Sequence, residues 1–159
     1  MKSTLAAGLS GKNRFEIDRS RTIDFMGEAA RVYATPMLVR DIEMTCRNLM
    51  LEHLDAGEDS VGTRVEIDHV GATLLGMTVE LSVRIAEVNG RSVVFEVEGR
   101  DTVEPIVRGR HTRFVVDVAK TPELGRIVLF APAFEAQPAL DHPAIAYESP
   151  PAELRAFEK

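Results

Sequence analysis

One helical signal interrupts a chain that otherwise alternates, and this restricts the folds open to it. At Thr35-Pro36 a threonine that can cap a helix precedes a proline suited to the first helical position. The segment 36–54 then carries helical periodicity, and Gly57 follows as a stop signal. At about 100° per residue, Leu38, Val39, Ile42, Cys46, Leu49 and Met50 fall on one arc. Met37, Met44, Leu51 and Leu54 make a second, weaker apolar patch. A helix apolar on more than one side is expected to be embraced on more than one side.

Around this helix the period is two. Phe15 and Ile17 alternate with charges within 14–25. Val65, Ile67 and His69 share one face of a strand; Met77, Val79, Leu81, Val83 and Ile85 alternate in the next. Asn89-Gly90 predicts a type I′ hairpin turn. Val93, Phe95 and Val97 follow, and after a turn near Asp101 a last strand covers about 105–118. The order is β-α-β-β-β-β, an α+β chain in which one long helix and a mostly antiparallel sheet must bury their faces together. A curved sheet wrapped around the helix does this. Its open edges favour pairing with a second copy.

The ends read differently. Residues 1–13 look loose. Residues 119–159 hold six of the eight prolines, which argues against a regular central element there. Val128-Leu129-Phe130 and Phe134 favour partial packing of that extension. The domain is therefore expected at 14–118.

Composition excludes several classes. The 159 residues fit one domain with a real core. No apolar run reaches the ~20 residues that cross a bilayer, so no membrane association is expected. Met1 to Asn13 lacks the apolar stretch of a signal peptide, so a cytoplasmic location is the default expectation. The single cysteine, Cys46, gives neither a disulfide framework nor a zinc pattern. A net charge of −6 argues against a generic nucleic-acid binder, while a few local arginines can still hold a phosphate.

Three residues stand out chemically, each with a structural explanation beside the functional one. Glu43 sits at the margin of the apolar arc beside Val39 and Met50. A partly desolvated carboxylate there is a better base or nucleophile; alternatively it reaches water or pairs with Arg40 or Arg47. His69 continues the face of Val65 and Ile67 and so points towards the helix. It is either a proton-transfer group or a satisfied core histidine. Thr35 is an N-cap by position, at a helix end whose free N–H groups also suit an oxyanion. No G-x-S-x-G elbow or P-loop competes. His53, His111 and His142 are scattered without metal-ligand spacing, and Cys46 and His53 lie on the buried arc as packing residues.

With these residues in place, the sequence resembles the fluoroacetyl-CoA thioesterase family of hot-dog proteins. The resemblance runs from about Phe25 to Val118. It is carried by V-Y-A-T-P-M-L-V-R-D-I-E at 32–43, S-V-G-T-R-V-E-I-D-H-V-G-A-T-L-L-G-M-T-V at 60–79 and R-G-R-H-T-R-F-V-V-D at 108–117. It implies a hot-dog fold and hydrolysis of an acyl-CoA-type thioester without metal or cofactor. It also implies a homodimer or higher homo-oligomer with sites near the subunit interface. By the same likeness Thr35, Glu43 and His69 match the family's catalytic threonine, glutamate and histidine. Gly62 matches a glycine that shapes the active-site loop, and Arg113 an arginine of the pocket.

Glu43 is then the nucleophile or the orienter of water, His69 the general acid/base and Thr35 a hydrogen-bonding partner. Arg108 and Arg110, on the opposite strand face from Arg113, are candidates for CoA phosphate contacts. The chain departs from the fluoroacetyl-specific pattern at Ala29, where the lid phenylalanine six residues before the threonine is missing, so fluoroacetate selectivity is not implied. Two other readings of the fold remain: a non-catalytic acyl-CoA or small-molecule binder, and a hydratase, whose D-x-N-P-x-H signature is absent.

Overall fold

The computed structural model describes residues 1–120. The strands are β1 (Ser10–Glu16), β2 (Glu58–His69), β3 (Thr78–Asn89), β4 (Ser92–Arg100) and β5 (Pro105–Asp117), and the helix is α1 (Thr35–Leu51). All neighbours are antiparallel, in the order β1-β3-β4-β5-β2. This is the expected β-α-β-β-β-β order, with short 3-10 turns at Arg19–Arg21 and Glu28–Ala30 added between β1 and the helix.

The helix buries the predicted arc: Leu38, Ile42, Cys46 and Met50 are fully enclosed. Against them the sheet presents Val79, Leu81, Val83 and Ile85 from β3, Val93, Phe95 and Val97 from β4, and Val107 and Val115 from β5. Each buried side chain of this size contributes roughly 1.5–3 kcal/mol before entropy is subtracted. The second helical patch behaves otherwise. Leu54 is buried, but Met44 and Leu51 remain 38% and 37% exposed. Met37 packs against the core, so among the described residues the patch is left bare only at Met44 and Leu51.

Several local expectations change. The helix is capped by the backbone of Ala34, with no side-chain cap, and Thr35 is its first residue rather than its N-cap. The hydroxyl is thereby released for another partner. The helix stops at Leu51, three residues before the expected end, and the chain turns through the positive-φ Gly57 into β2. The hairpin after β3 pairs Asn89 with Ser92, placing Gly90 and Arg91 in the loop. Only Gly90 has positive φ, +55°, so a type I′ turn, which needs positive φ at both loop residues, does not form.

Residues 1–13 are not loose. β1 begins at Ser10, Leu5 is buried, and the Met1 ammonium pairs with Asp55 and Glu58 at 2.6 and 2.5 Å. Alternation was too short here to reveal a strand whose inward face is half-covered. β1 ends at Glu16 because the Asp18 side chain accepts from Arg21 N–H and closes a 3-10 turn. The Pro-rich extension, beyond residue 120, lies outside the described residues.

Candidate active site

Thr35 and His69 meet where the helix begins. Thr35 Oγ1 lies 3.0 Å from His69 Nδ1. The other ring nitrogen, Nε2, is buried and has no hydrogen-bond partner among the described residues. Tyr33 packs edge-on against the imidazole, with ring centroids 6.2 Å apart. The Tyr33 hydroxyl donates to Asp41 Oδ2 at 2.7 Å, and Arg21 Nε donates to the same oxygen at 2.9 Å. Asp41 and Tyr33 are both buried, so this network ties the helix, the preceding loop and the histidine into one rigid corner. Burial holds the His69 pKa below the ordinary imidazole value, a backbone interaction with Gly71 opposing it in part. His69 is therefore neutral near pH 7.

Glu43 sits elsewhere on the same helix. Eight residues separate it from Thr35, about 12 Å along the axis at 1.5 Å per residue. Its neighbours are Gly62, His111 and Arg113. A side chain at position 62 would collide with Glu43 Oε1, so the missing Cβ makes the room that the carboxylate occupies. The register of β2 against β5 shifts between Gly62 and Arg64, a bulge that re-aims the strand at this point. The Glu43 side chain is 39% exposed.

Arg113 is buried, and its guanidinium is fully engaged by neutral groups. Nε donates to Ser60 Oγ at 2.9 Å and Nη2 to the Ser60 carbonyl at 2.6 Å. Nη1 donates to the Glu43 carbonyl at 3.3 Å and approaches His111 Nε2 at 3.2 Å. Burial lowers the Arg113 pKa, with the Glu43 charge opposing.

His111 was set aside in the sequence as one of three scattered histidines. It is fully buried, and its Nε2 lies 3.9 Å from Glu43 Oε1. The signal that would have found it was alternation, which puts His111 on the same strand face as Arg113 and Val115. Its pKa is lowered, first by burial.

The chain thus brings Thr35 to His69 and Glu43 to Gly62 and Arg113, as two clusters at different heights on the helix. Arg108 and Arg110 lie on the opposite, solvent-facing side of β5. There Arg108 Nε reaches Asp68 at 3.3 Å, and the two arginines line a shallow groove with Glu66 and Asp68. Cys46 is buried packing, its thiol pushed up to about 12 by desolvation. Among the described residues no group of acidic, histidine or cysteine side chains is arranged to hold a metal. No described helix is long and apolar enough to cross a membrane.

Residues 17–119 match the model of the fluoroacetyl-CoA-specific thioesterase family. The fluoroacetyl-CoA thioesterase of Streptantibioticus cattleyicolor is 34% identical over 93 residues, 58% of this chain and 67% of that protein. A crystal structure of the fluoroacetyl-CoA thioesterase superposes with a TM-score of 0.71 at 27% identity, covering 76% of this chain and 95% of the other. A thioesterase-superfamily protein from Thermus thermophilus superposes with a TM-score of 0.70 at 27% identity, covering 78% and 93%. On this fold and this match, the chain belongs to the fluoroacetyl-CoA-specific thioesterase family of hot-dog proteins and is a thioesterase.

Proposed function

We propose that this protein hydrolyses a short acyl-CoA thioester in sites built between two copies of the chain, with Thr35 and His69 of one protomer facing the partner's Glu43. The observation that carries the reading is the separation of Thr35 and Glu43 along one helix: at about 12 Å they cannot act on one carbonyl from the same chain. Two antiparallel copies of α1 crossing midway between these residues bring Thr35 of each level with the partner's Glu43. The exposed Met44 and Leu51, and the edge of β2, which among the described residues pairs on its other side with β5 alone and carries the exposed Val65, are the surfaces such a partner would cover. The relatives support the substrate class, since one solved structure of the fluoroacetyl-CoA thioesterase holds fluoroacetate and CoA.

In this reading the Thr35 N–H at the start of the helix receives the thioester oxygen as it gains charge, since Pro36 has no N–H and those of Met37 and Leu38 donate to the Ala34 carbonyl. Glu43 adds to the carbonyl carbon, or orients the water that does. The carbon–sulfur bond breaks and the sulfur leaves as thiolate, which takes up the proton that His69 removes from the hydrolytic water; where Glu43 has added, that water cleaves the acyl–Glu43 anhydride and frees the carboxylate. When Nδ1–H of His69 donates to Thr35, Nε2 carries the lone pair that takes a proton from the hydrolytic water. Acid and thiol are the products, and no metal or cofactor is required. Ala29 stands exposed where the fluoroacetyl-specific pattern has its lid phenylalanine, so the acyl group need not be fluorinated.

The test mixes inactive variants. Glu43→Ala and His69→Ala are each assayed for thiol release from a panel of acyl-CoAs, then unfolded and refolded together. Random pairing of subunits regenerates about a quarter of the sites if each draws on two chains. Variants as active as the wild type would reject the residue assignment, and mixtures that stay dead would reject the shared site.

A further inference from the structure

Beneath Glu43 lies a buried histidine to which that mechanism gives no task. We infer that His111 is a positioning residue for Glu43, acting as an uncharged acceptor that fixes Arg113 and as a wall that limits where the carboxylate can go. This rests on the assignment of Glu43 to the reaction.

Its hydrogen bonds decide its tautomer. His111 Nδ1 lies 2.9 Å from the Arg64 carbonyl oxygen, which can only accept, so Nδ1 carries the proton. Nε2 then holds a lone pair and accepts from Arg113 Nη1, 3.2 Å away. The same Nη1 donates to the main-chain carbonyl of Glu43. A continuous path therefore runs from the β2 backbone at Arg64, through the imidazole and guanidinium, to the helix backbone that carries Glu43.

The side chain of Glu43 is held by shape. Its Oε1 lies 3.9 Å from His111 Nε2 and rests over Gly62, where a Cβ would also come 3.0 Å from His111 Cε1. The ring, the glycine and the carboxylate thus fill one another's space. A neutral Nε2 already occupied by Arg113 has no proton to give Glu43, so the carboxylate is placed without being consumed in an ion pair. Arg113 in turn is buried with neutral hydrogen-bond partners, the Ser60 hydroxyl, the carbonyls of Ser60 and Glu43, and the His111 imidazole, so a fixed acceptor at Nε2 helps hold it in place.

The experiment is a double-mutant cycle on kcat for acyl-CoA hydrolysis. His111→Leu removes the acceptor and should lower kcat on the order of 10–100-fold with little change in KM, as expected for a misplaced reacting group. His111→Gln keeps one donor and one acceptor and should recover most of that loss. In a Glu43→Ala background, His111→Leu should cost nothing further, because its effect runs through Glu43. If His111→Leu does not fold, His111→Asn, polar but too short to reach both partners, replaces it in every arm. A folded His111→Leu enzyme with wild-type kcat, a loss that multiplies onto that of Glu43→Ala, or a Gln variant no better than the Leu variant would overturn the proposal. Glu43→Ala with wild-type activity would instead reject the underlying assignment of Glu43.

Discussion

Thr35 Oγ1 and His69 Nδ1 lie 3.0 Å apart, a contact that exists because the helix is capped by Ala34 and not by the threonine hydroxyl. The hydroxyl therefore orients the imidazole. Thr35→Ala should lower kcat about tenfold or more and Thr35→Ser far less, because serine restores the hydroxyl. His69→Ala should cost roughly 10²–10⁴-fold, the usual range for a lost general base. Both should leave Tm within a few degrees, since Thr35 is exposed and His69 only half-buried. Thiol-release kinetics beside thermal melts check all three.

The two site histidines set the response to acid. Burial depresses His69 and His111 below the unfolded value of 6.5. Between 6.5 and the depressed folded values the unfolded chain binds more protons, so stability is fully present above 6.5 and falls as pH drops through that window. On the proposed mechanism activity should fall in the same direction, because a protonated His69 would have no lone pair for the water. Melting temperatures from pH 8 to pH 5 should decline for the wild type and decline less for His111→Gln. Equal slopes would remove His111 from the linkage.

How much of this was legible in the sequence differs by residue. The helix and the inward faces of β3 and β4 read directly, because Leu38, Ile42 and Cys46 and the valines of the two central strands are buried by one partner each and keep a clean period. β1 and the capping residue were less visible: edge strands are half-covered, and a Thr-Pro pair satisfies the statistics of a cap at either of two adjacent positions. The three candidate residues were legible as types. Their division into two clusters was written only in the helical rise, which spacing alone states once the helix is known to be continuous through Thr35–Leu51. The inward face of His111 was open to alternation, but its partners were hidden for a different reason. A histidine satisfied by a distant carbonyl has no local motif.

The corner behind His69 should be a stability determinant. Asp41 is buried and accepts from both Tyr33 and Arg21. Asp41→Ala leaves a buried phenol unpaired and takes from Arg21, only 20% exposed, one of its two carboxylate partners, Asp18 being the other, at a cost of about 1–3 kcal/mol. Tyr33→Phe removes one hydrogen bond but keeps the ring against His69, and should cost about 1 kcal/mol. Urea unfolding measures both. A loss for Asp41→Ala no greater than for Tyr33→Phe would mean that the Arg21 pair contributes little.

Two glycines of the β2–β5 ladder should respond to alanine in opposite ways. At Gly62 the new methyl group meets the end of the Glu43 side chain, a flexible group that can swing aside, and comes 3.0 Å from His111 Cε1, which must give by a few tenths of an ångström. The fold should survive Gly62→Ala with a modest fall in Tm. The displaced carboxylate should cost kcat on the order of 100-fold, as ångström-scale misplacement does. At Gly109 the methyl meets the backbone of Glu66 and Ile67 in the paired strand, which cannot swing, and φ is +157°. Gly109→Ala should therefore lower Tm sharply, by more than 1–2 kcal/mol of stability, while the folded fraction keeps its kcat. Melting curves and active-site-normalised kinetics on the pair separate the two effects. A Gly62→Ala enzyme with wild-type kcat would mean that the position of Glu43 does not limit the reaction.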